Sequence, residues 1–187
     1  MYDQAINGDR IAREKFAALA RQHSIRTIIE TGTYHGVTTQ FLSSRAPQIH
    51  TIEINLRYQT IARELLKDLQ NIRLHLGNSP QVLKGILPRI TQPALFFLDA
   101  HWGGYCPLLD ELSTMAQAGI TRPIIAIHDF QVPGTDLGYD TYKGQPYNLQ
   151  YVEGWLPTLY PSGYRTEYND ETAEGARRGI LYITPAN

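Results

Sequence analysis

The stretch Arg26-Thr27-Ile28-Ile29-Glu30-Thr31-Gly32-Thr33-Tyr34-His35-Gly36 decides how the rest of this chain is read. Ile28 and Ile29 give residues 26–30 the β-branched, apolar character of a short buried strand. Gly32 and Gly36 mark a tight turn, or a place where a ligand approaches the backbone. Val37-Thr38-Thr39-Gln40-Phe41-Leu42 then restores helical spacing. Strand, glycine turn, helix is how an open α/β sheet builds a ligand site at its carboxyl edge. Glu30 stands two positions before the first glycine, where a carboxylate repels a pyrophosphate and suits an ammonium group. The glycines also miss the G-x-G-x-x-G spacing of dinucleotide sites.

Working outward, His50-Thr51-Ile52-Glu53-Ile54 reads as a second strand. Glu53 follows Gly32 by 21 positions, where an acid accepts from both hydroxyls of a ribose. That requirement fits an adenosine-bearing ligand without choosing among such ligands. Residues 9–22 read as an amphipathic helix capped by Asp9, and residues 1–25 are expected to cover the core or the cleft. Residues 57–69 form a helix and residues 72–76 a third strand. Gly77-Asn78-Ser79-Pro80 opens another helix, with Ser79 as cap and Pro80 as first helical residue.

Residues 94–99 are the clearest buried strand, and they deliver Asp99-Ala100-His101-Trp102-Gly103-Gly104-Tyr105. Burying such polar groups only to stabilise a fold is costly, so this run reads as an active-site edge. A helix spans residues 108–118, where Asp110 and Glu111 are assigned nothing beyond a favourable place in the helix dipole. Residues 123–127 form a fifth strand, followed by His128-Asp129-Phe130. In a parallel sheet these strand ends share one edge with Glu30 and Glu53. Residues 131–148 carry three glycines and three tyrosines without periodicity and read as a lid over an acceptor. A helix over 149–160 and two strands, 164–168 and 179–184, complete the chain.

The 187 residues suit a single domain, residues 1–187, with a core of useful size. A net charge of -1 argues against broad attraction to nucleic acid or an acidic membrane surface. Cys106 is the only cysteine, which excludes a disulfide framework or a cysteine zinc cluster. No apolar run approaches the roughly 18 residues of a membrane span. A soluble, cytoplasmic protein is expected.

From residue 26 to residue 184 the order of elements resembles the class I S-adenosylmethionine-dependent methyltransferases. The acidic-x-Gly-x-x-x-Gly loop at Glu30, Gly32 and Gly36, with Glu53 beyond it, carries the cofactor side of that resemblance. It implies a Rossmann-like, doubly wound α/β fold: a mostly parallel seven-stranded sheet ending in an antiparallel hairpin. It implies S-adenosyl-L-methionine as cofactor, held by Glu30, Thr31, Gly32, Thr33, Tyr34, Gly36, Glu53, Asn78, Ser79 and Asp99. At Asn78 it implies a contact to the adenine amino group.

The strand-end runs Leu98-Asp99-Ala100-His101-Trp102 and Ile127-His128-Asp129-Phe130 are similar in placement to those of metal-assisted O-methyltransferases of sugars and catechols. There, acids at the ends of the fourth and fifth strands hold a divalent cation. The resemblance thus implies Asp99, His128 and Asp129 as metal ligands. Such families show Asp-Asp or Asp-Asn where this chain has His128-Asp129, and histidine favours zinc, iron or manganese over magnesium. The expected activity is methyl transfer to a small hydroxylated acceptor, with Asp99, His101 and Asp129 as catalytic residues. A base suited to removing the acceptor's proton is useful here, and His101 is of the right residue type. A nicotinamide-dependent oxidoreductase, a metal-dependent hydroxylase-like relative and a non-catalytic cofactor-binding module share the fold. Glu30 and the glycine spacing argue against the first, and the set Asp99, His101, His128 and Asp129 against the last.

Overall fold

The computed structural model describes residues 3–90, 93–102 and 104–186, so Gly103 of the expected site loop and residues 1–2 of the N-terminal segment lie outside the described residues. Five parallel strands follow one another: β1 Thr27–Thr31, β2 Gln48–Glu53, β3 Ile72–Leu76, β4 Ala94–Leu98 and β5 Ile124–His128. A small hairpin, β6 Thr141–Tyr142 with β7 Gln145–Pro146, interrupts the next connection. β8 Tyr164–Tyr168 and β9 Ile180–Pro185 close the sheet in the order β3-β2-β1-β4-β5-β9-β8. β9 runs antiparallel to both of its neighbours. The mostly parallel seven-stranded sheet with its C-terminal antiparallel pair is therefore as expected.

The helices are α1 Arg10–Gln22, α2 Val37–Leu42, α3 Leu56–Leu66, α4 Ser79–Ile86, α5 Leu108–Gln117, α6 Leu149–Val152 and α7 Leu156–Leu159. β1, β4 and β5 are buried at every position, as strands covered on both faces must be. Alternation sorts their side chains between two layers. Ile29, Phe96, Leu98, Ile125 and Ile127 pack with α4, α5, α6 and α7 on one face. Ile28, Leu95, Phe97 and Ala126 pack with α1 and α2 on the other. Both ends of the chain's apolar pattern are thus used, and the sheet is doubly wound.

Asp9 caps α1 by accepting from the Ala12 N–H at 3.0 Å. The expected helix over 149–160 instead breaks into α6, a 3₁₀ turn at Glu153–Trp155, and α7. Gly154 weakens the helix there and Pro157 lacks the N–H that would continue it. Ser79 is the first residue of α4 rather than its cap; Asn78 holds the cap position, with no hydrogen bond from its side chain to the helix. The strap 131–148 is anchored: Gln131 N–H donates to Tyr147 O, and Tyr147 N–H to Asp140 O. Among the described residues no helix is long and apolar enough to cross a membrane.

Phe16 of α1 meets Phe97 edge-on, with ring centroids 5.0 Å apart, and Tyr182 at 6.0 Å. It is 1% exposed, so little of its apolar surface is already wet. Replacing it, Phe16→Ala, should lower unfolding free energy by about 3–5 kcal/mol. Urea unfolding at equilibrium tests this; a loss under about 1 kcal/mol would mean that α1 does not close the sheet.

Candidate active site

A cleft of about 1050 Å³ runs along the carboxyl ends of the parallel strands. Its lining follows the strand order: Gly77 and Ser79 after β3, Glu53 at the end of β2, Gly32 to Gly36 after β1, Asp99 to Trp102 after β4, and Asp129 after β5. Gln4, Asn7, Asn55 and Tyr58 add to the wall.

The β1 turn is shaped by a close approach. Gly32 adopts φ +86°, and a Cβ there would lie 2.6 Å from the Asp99 carbonyl oxygen. Only glycine lets the β1 and β4 ends meet so closely. Asp99 N–H donates to Thr31 O at 3.2 Å, which locks the two ends together. The Asp99 side chain is left to reach the cleft.

Glu53 is 7% exposed and lines the cleft. Its Oε2 accepts from Tyr34 N–H and its Oε1 from Asn55 N–H, each at 2.8 Å. Each oxygen retains acceptor capacity, so a diol fits this carboxylate. Tyr34 stacks on His35 at 3.8 Å, and Tyr58 meets Tyr34 edge-on at 4.7 Å.

Glu30 differs from expectation. Its carboxylate is fully buried and does not line the cleft. One oxygen, Oε2, accepts from Thr39 Oγ1 at 2.5 Å and Thr51 Oγ1 at 2.6 Å. The other, Oε1, has no partner among the described residues. Burial raises its pKa to about 7, against the lowering effect of the two threonine hydroxyls. The reason is alternation: Glu30 is a strand residue that points into the layer with α2, while the loop beyond it faces the cleft. Thr31, buried in β1, and Asn78, with its Oδ1 buried and unpartnered, also stay out of the cleft wall. Gly32, Thr33, Tyr34, Gly36, Glu53, Ser79 and Asp99 line it as expected.

Glu111 was assigned no role beyond the helix dipole and proves to lie buried behind Ser79 of the cleft wall. It is 1% exposed, accepts a hydrogen bond from Ser79 Oγ, and burial raises its pKa to about 7. A signal for this was present, since Leu108, Glu111, Leu112 and Met115 share the buried face of α5 at i, i+3, i+4 and i+7.

On the acceptor side, Asp99, His101 and Asp129 all line the cleft. His101 Nε2 lies 3.8 Å from Asp129 Oδ2, whereas Asp99 pairs with His128 and not with His101. Buried His128 places Nδ1 3.0 Å from Asp99 Oδ1 and 3.1 Å from Asp129 Oδ1. Neither oxygen lies along an N–H direction, so the contact is one of charge rather than of aligned hydrogen bonds. Burial opposes the imidazolium, but the two carboxylates outweigh it and raise the His128 pKa. Asp129 is pushed up by burial and brought well below the usual range by His128 and Arg178. Asp99, His128 and Asp129 do come together, their donor atoms within 4.8 Å of one another. Arg178, which sequence reasoning missed, donates from Nε to Asp129 Oδ1 and from Nη2 to Asp140 Oδ1. No local pattern marks it, because its partners lie 49 and 38 positions away.

No protein-family model matches the chain, and no curated protein sequence does. Solved structures do. An O-methyltransferase from Bacillus cereus, in complex with S-adenosylhomocysteine, is similar with a TM-score of 0.67 and 17% identity, over 94% of this chain and 81% of that one. The O-methyltransferase TomG from Streptomyces achromogenes, involved in tomaymycin synthesis and in complex with S-adenosylmethionine, has a TM-score of 0.62 and 16% identity, over 94% and 80%. An rRNA methylase from Streptococcus thermophilus has a TM-score of 0.59 and 13% identity, over 95% of each chain. The fold is that of the class I S-adenosylmethionine-dependent methyltransferases.

Burial of Glu30 has a measurable consequence. Its native pKa, about 7, exceeds its ordinary 4.5, so the native state binds the proton more tightly than the unfolded state. That contribution to stability is complete below 4.5 and is lost as pH rises through 7. Glu30→Gln should gain stability relative to the wild type by roughly 3 kcal/mol between those limits. Urea midpoints measured at intervals across that range check this, and parallel pH profiles for the two proteins would exclude it.

Proposed function

We propose that this chain transfers a methyl group from S-adenosylmethionine to an oxygen of a small hydroxylated molecule. The observation that carries this reading is Glu53. Its carboxylate faces a cleft across the Gly32 turn, with an acceptor for each hydroxyl of a ribose. Gly77 and Ser79 then take the adenine end. Asp99, at the meeting of β1 and β4, faces the methionyl part. Glu30 acts from below by holding Thr39 and Thr51, and so fixes the turn, rather than by touching an ammonium group.

When bound, the cofactor supplies a sulfonium methyl whose carbon–sulfur bond breaks with its electron pair returning to sulfur. The acceptor oxygen forms the new bond to carbon and gives its proton to His101 Nε2. Asp129 Oδ2, facing that nitrogen, stabilises the imidazolium that results. Holding donor and acceptor in line contributes up to ~7–11 kcal/mol, the largest share available to a reaction whose leaving group departs neutral. The cleft's aromatic rings, Tyr34 and Trp102, suit a sulfonium at roughly 0.5–2 kcal/mol.

The acceptor class follows from charge. The two arginines that follow Ala176 of the cleft wall are paired, Arg177 with Asp136 at 2.7 Å and Arg178 with Asp129 and Asp140. With a net charge of -1, this favours a small molecule over nucleic acid although an rRNA methylase shares the fold. A single buried thiol, Cys106, agrees with a reducing, cytoplasmic setting.

Calorimetry should detect S-adenosylhomocysteine binding to the wild type and no competition from NAD. Glu53→Ala should weaken that binding by about tenfold to a hundredfold while the melting midpoint holds. His101→Ala should leave it unchanged and slow methyl transfer to phenolic and sugar acceptors by about 10²–10⁴-fold. NAD binding in place of S-adenosylhomocysteine would overturn the donor assignment. A fully active His101→Ala would overturn the base.

A further inference from the structure

Asp129 belongs to two clusters of acidic and imidazole groups. Asp99, His128 and Asp129 form one, and His101, Asp129 and Asp140 the other, with donor atoms in each within 4.8 Å of one another. The resemblance noted above implies a divalent metal held by the first of them. One structural fact works against that occupant. The Arg178 guanidinium lies in the second cluster, its Nε on Asp129 and its Nη2 on Asp140. It bridges the two acids of the second cluster and also occupies the Asp129 Oδ1 that faces His128 in the first, so both clusters share that oxygen with it.

The chain is shaped around this guanidinium. Arg178 precedes β9 and runs beside the strap, where Gly138 N–H donates to Arg177 O and Gly179 N–H to Gly138 O, both at 2.9 Å. A Cβ on Gly138 would lie 2.8 Å from Arg178 Nη1 and 3.2 Å from its Cδ. A side chain at that position would drive the guanidinium off the two acids. Arginine is the fitting side chain, since its fork of donors satisfies two carboxylates at once and stays charged at any working pH. Asp129 Oδ1 is taken by Arg178, while Oδ2 remains turned to His101.

We propose that the Arg178 guanidinium fills the cation position of this edge, so that the acceptor site is organised by a protein cation and works without a divalent metal. This rests on the methyl-transfer reading above and deepens it. Arg178 is a positioning residue: it fixes Asp129, and Asp129 faces the base. The residues present do not fit a metal while the guanidinium holds them. The acceptor is therefore not recognised through chelation by adjacent hydroxyls, and one reacting hydroxyl suffices.

Manganese is the probe, followed through loss of the free Mn²⁺ paramagnetic resonance signal. The wild type should take up no stoichiometric Mn²⁺. Arg178→Met should take up one ion per chain, with affinity raised by at least about tenfold, because two acids lose their counter-charge. Arg178→Lys, which keeps the charge, should again exclude the ion, and adding Asp129→Asn to Arg178→Met should abolish uptake. Stoichiometric Mn²⁺ in the wild type, lost in Asp129→Asn, would overturn the proposal. So would a folded Arg178→Met that binds none. If Arg178→Met fails to fold, the wild-type titration still decides. S-adenosylhomocysteine calorimetry on the same samples separates the two readings, since its failure would remove the methyl donor and leave the manganese result standing.

Discussion

A buried carboxylate must be matched by positive charge or it destabilises the fold, and at Asp129 that requirement ties together distant parts of the chain. The residue is 8% exposed and sits at the end of β5 with φ +56°, in the left-handed region that aspartate tolerates better than most residues. Its side chain meets His128 of its own strand and Arg178 from the approach to β9. Its backbone carbonyl accepts from Asp140 N–H at 2.9 Å. The strap 131–148, the antiparallel end of the sheet and the acceptor side of the cleft are therefore held at one point.

Two further buried acids play a different part. Glu30 and Glu111 lie under the cleft on opposite layers of the sheet, and both are held by hydroxyls rather than by cations. Hydroxyl partners give less than a charge would, so both carboxyls stay near a pKa of 7 and sit close to neutrality. A neutral carboxyl is less costly to bury, and it retains the acceptor geometry that orders Thr39, Thr51 and Ser79. The layer behind the cleft wall is therefore polar without being strongly charged. Asp129, by contrast, lines the cleft and is held ionised by His128 and Arg178.

Much of this was legible in the chain itself. The strands over Ile28, Ile52, Phe96 and Ile125 are marked by apolar, β-branched or aromatic runs, and their order with the intervening helices implied a parallel sheet. A parallel sheet places every strand end on one edge, so Glu53, Asp99 and Asp129 could be gathered before any contact was known. The direction of Glu30 was not legible in this way. Its number along the chain placed it beside the glycine turn, but the period of two in a strand turned its side chain into a core layer.

What the sequence by itself determined was periodicity and its consequences: which segments are strands, which are helices, and which residues arrive at the sheet edge. Periodicity is a local property, written in neighbours a few positions apart. What only the tertiary structure decided was pairing. Arg178 meets Asp129 across 49 positions, Ser79 meets Glu111 across 32, and His128 meets Asp99 from a neighbouring strand end. Those partners are chosen by charge and space after the sheet has closed, and no spacing along the chain encodes them.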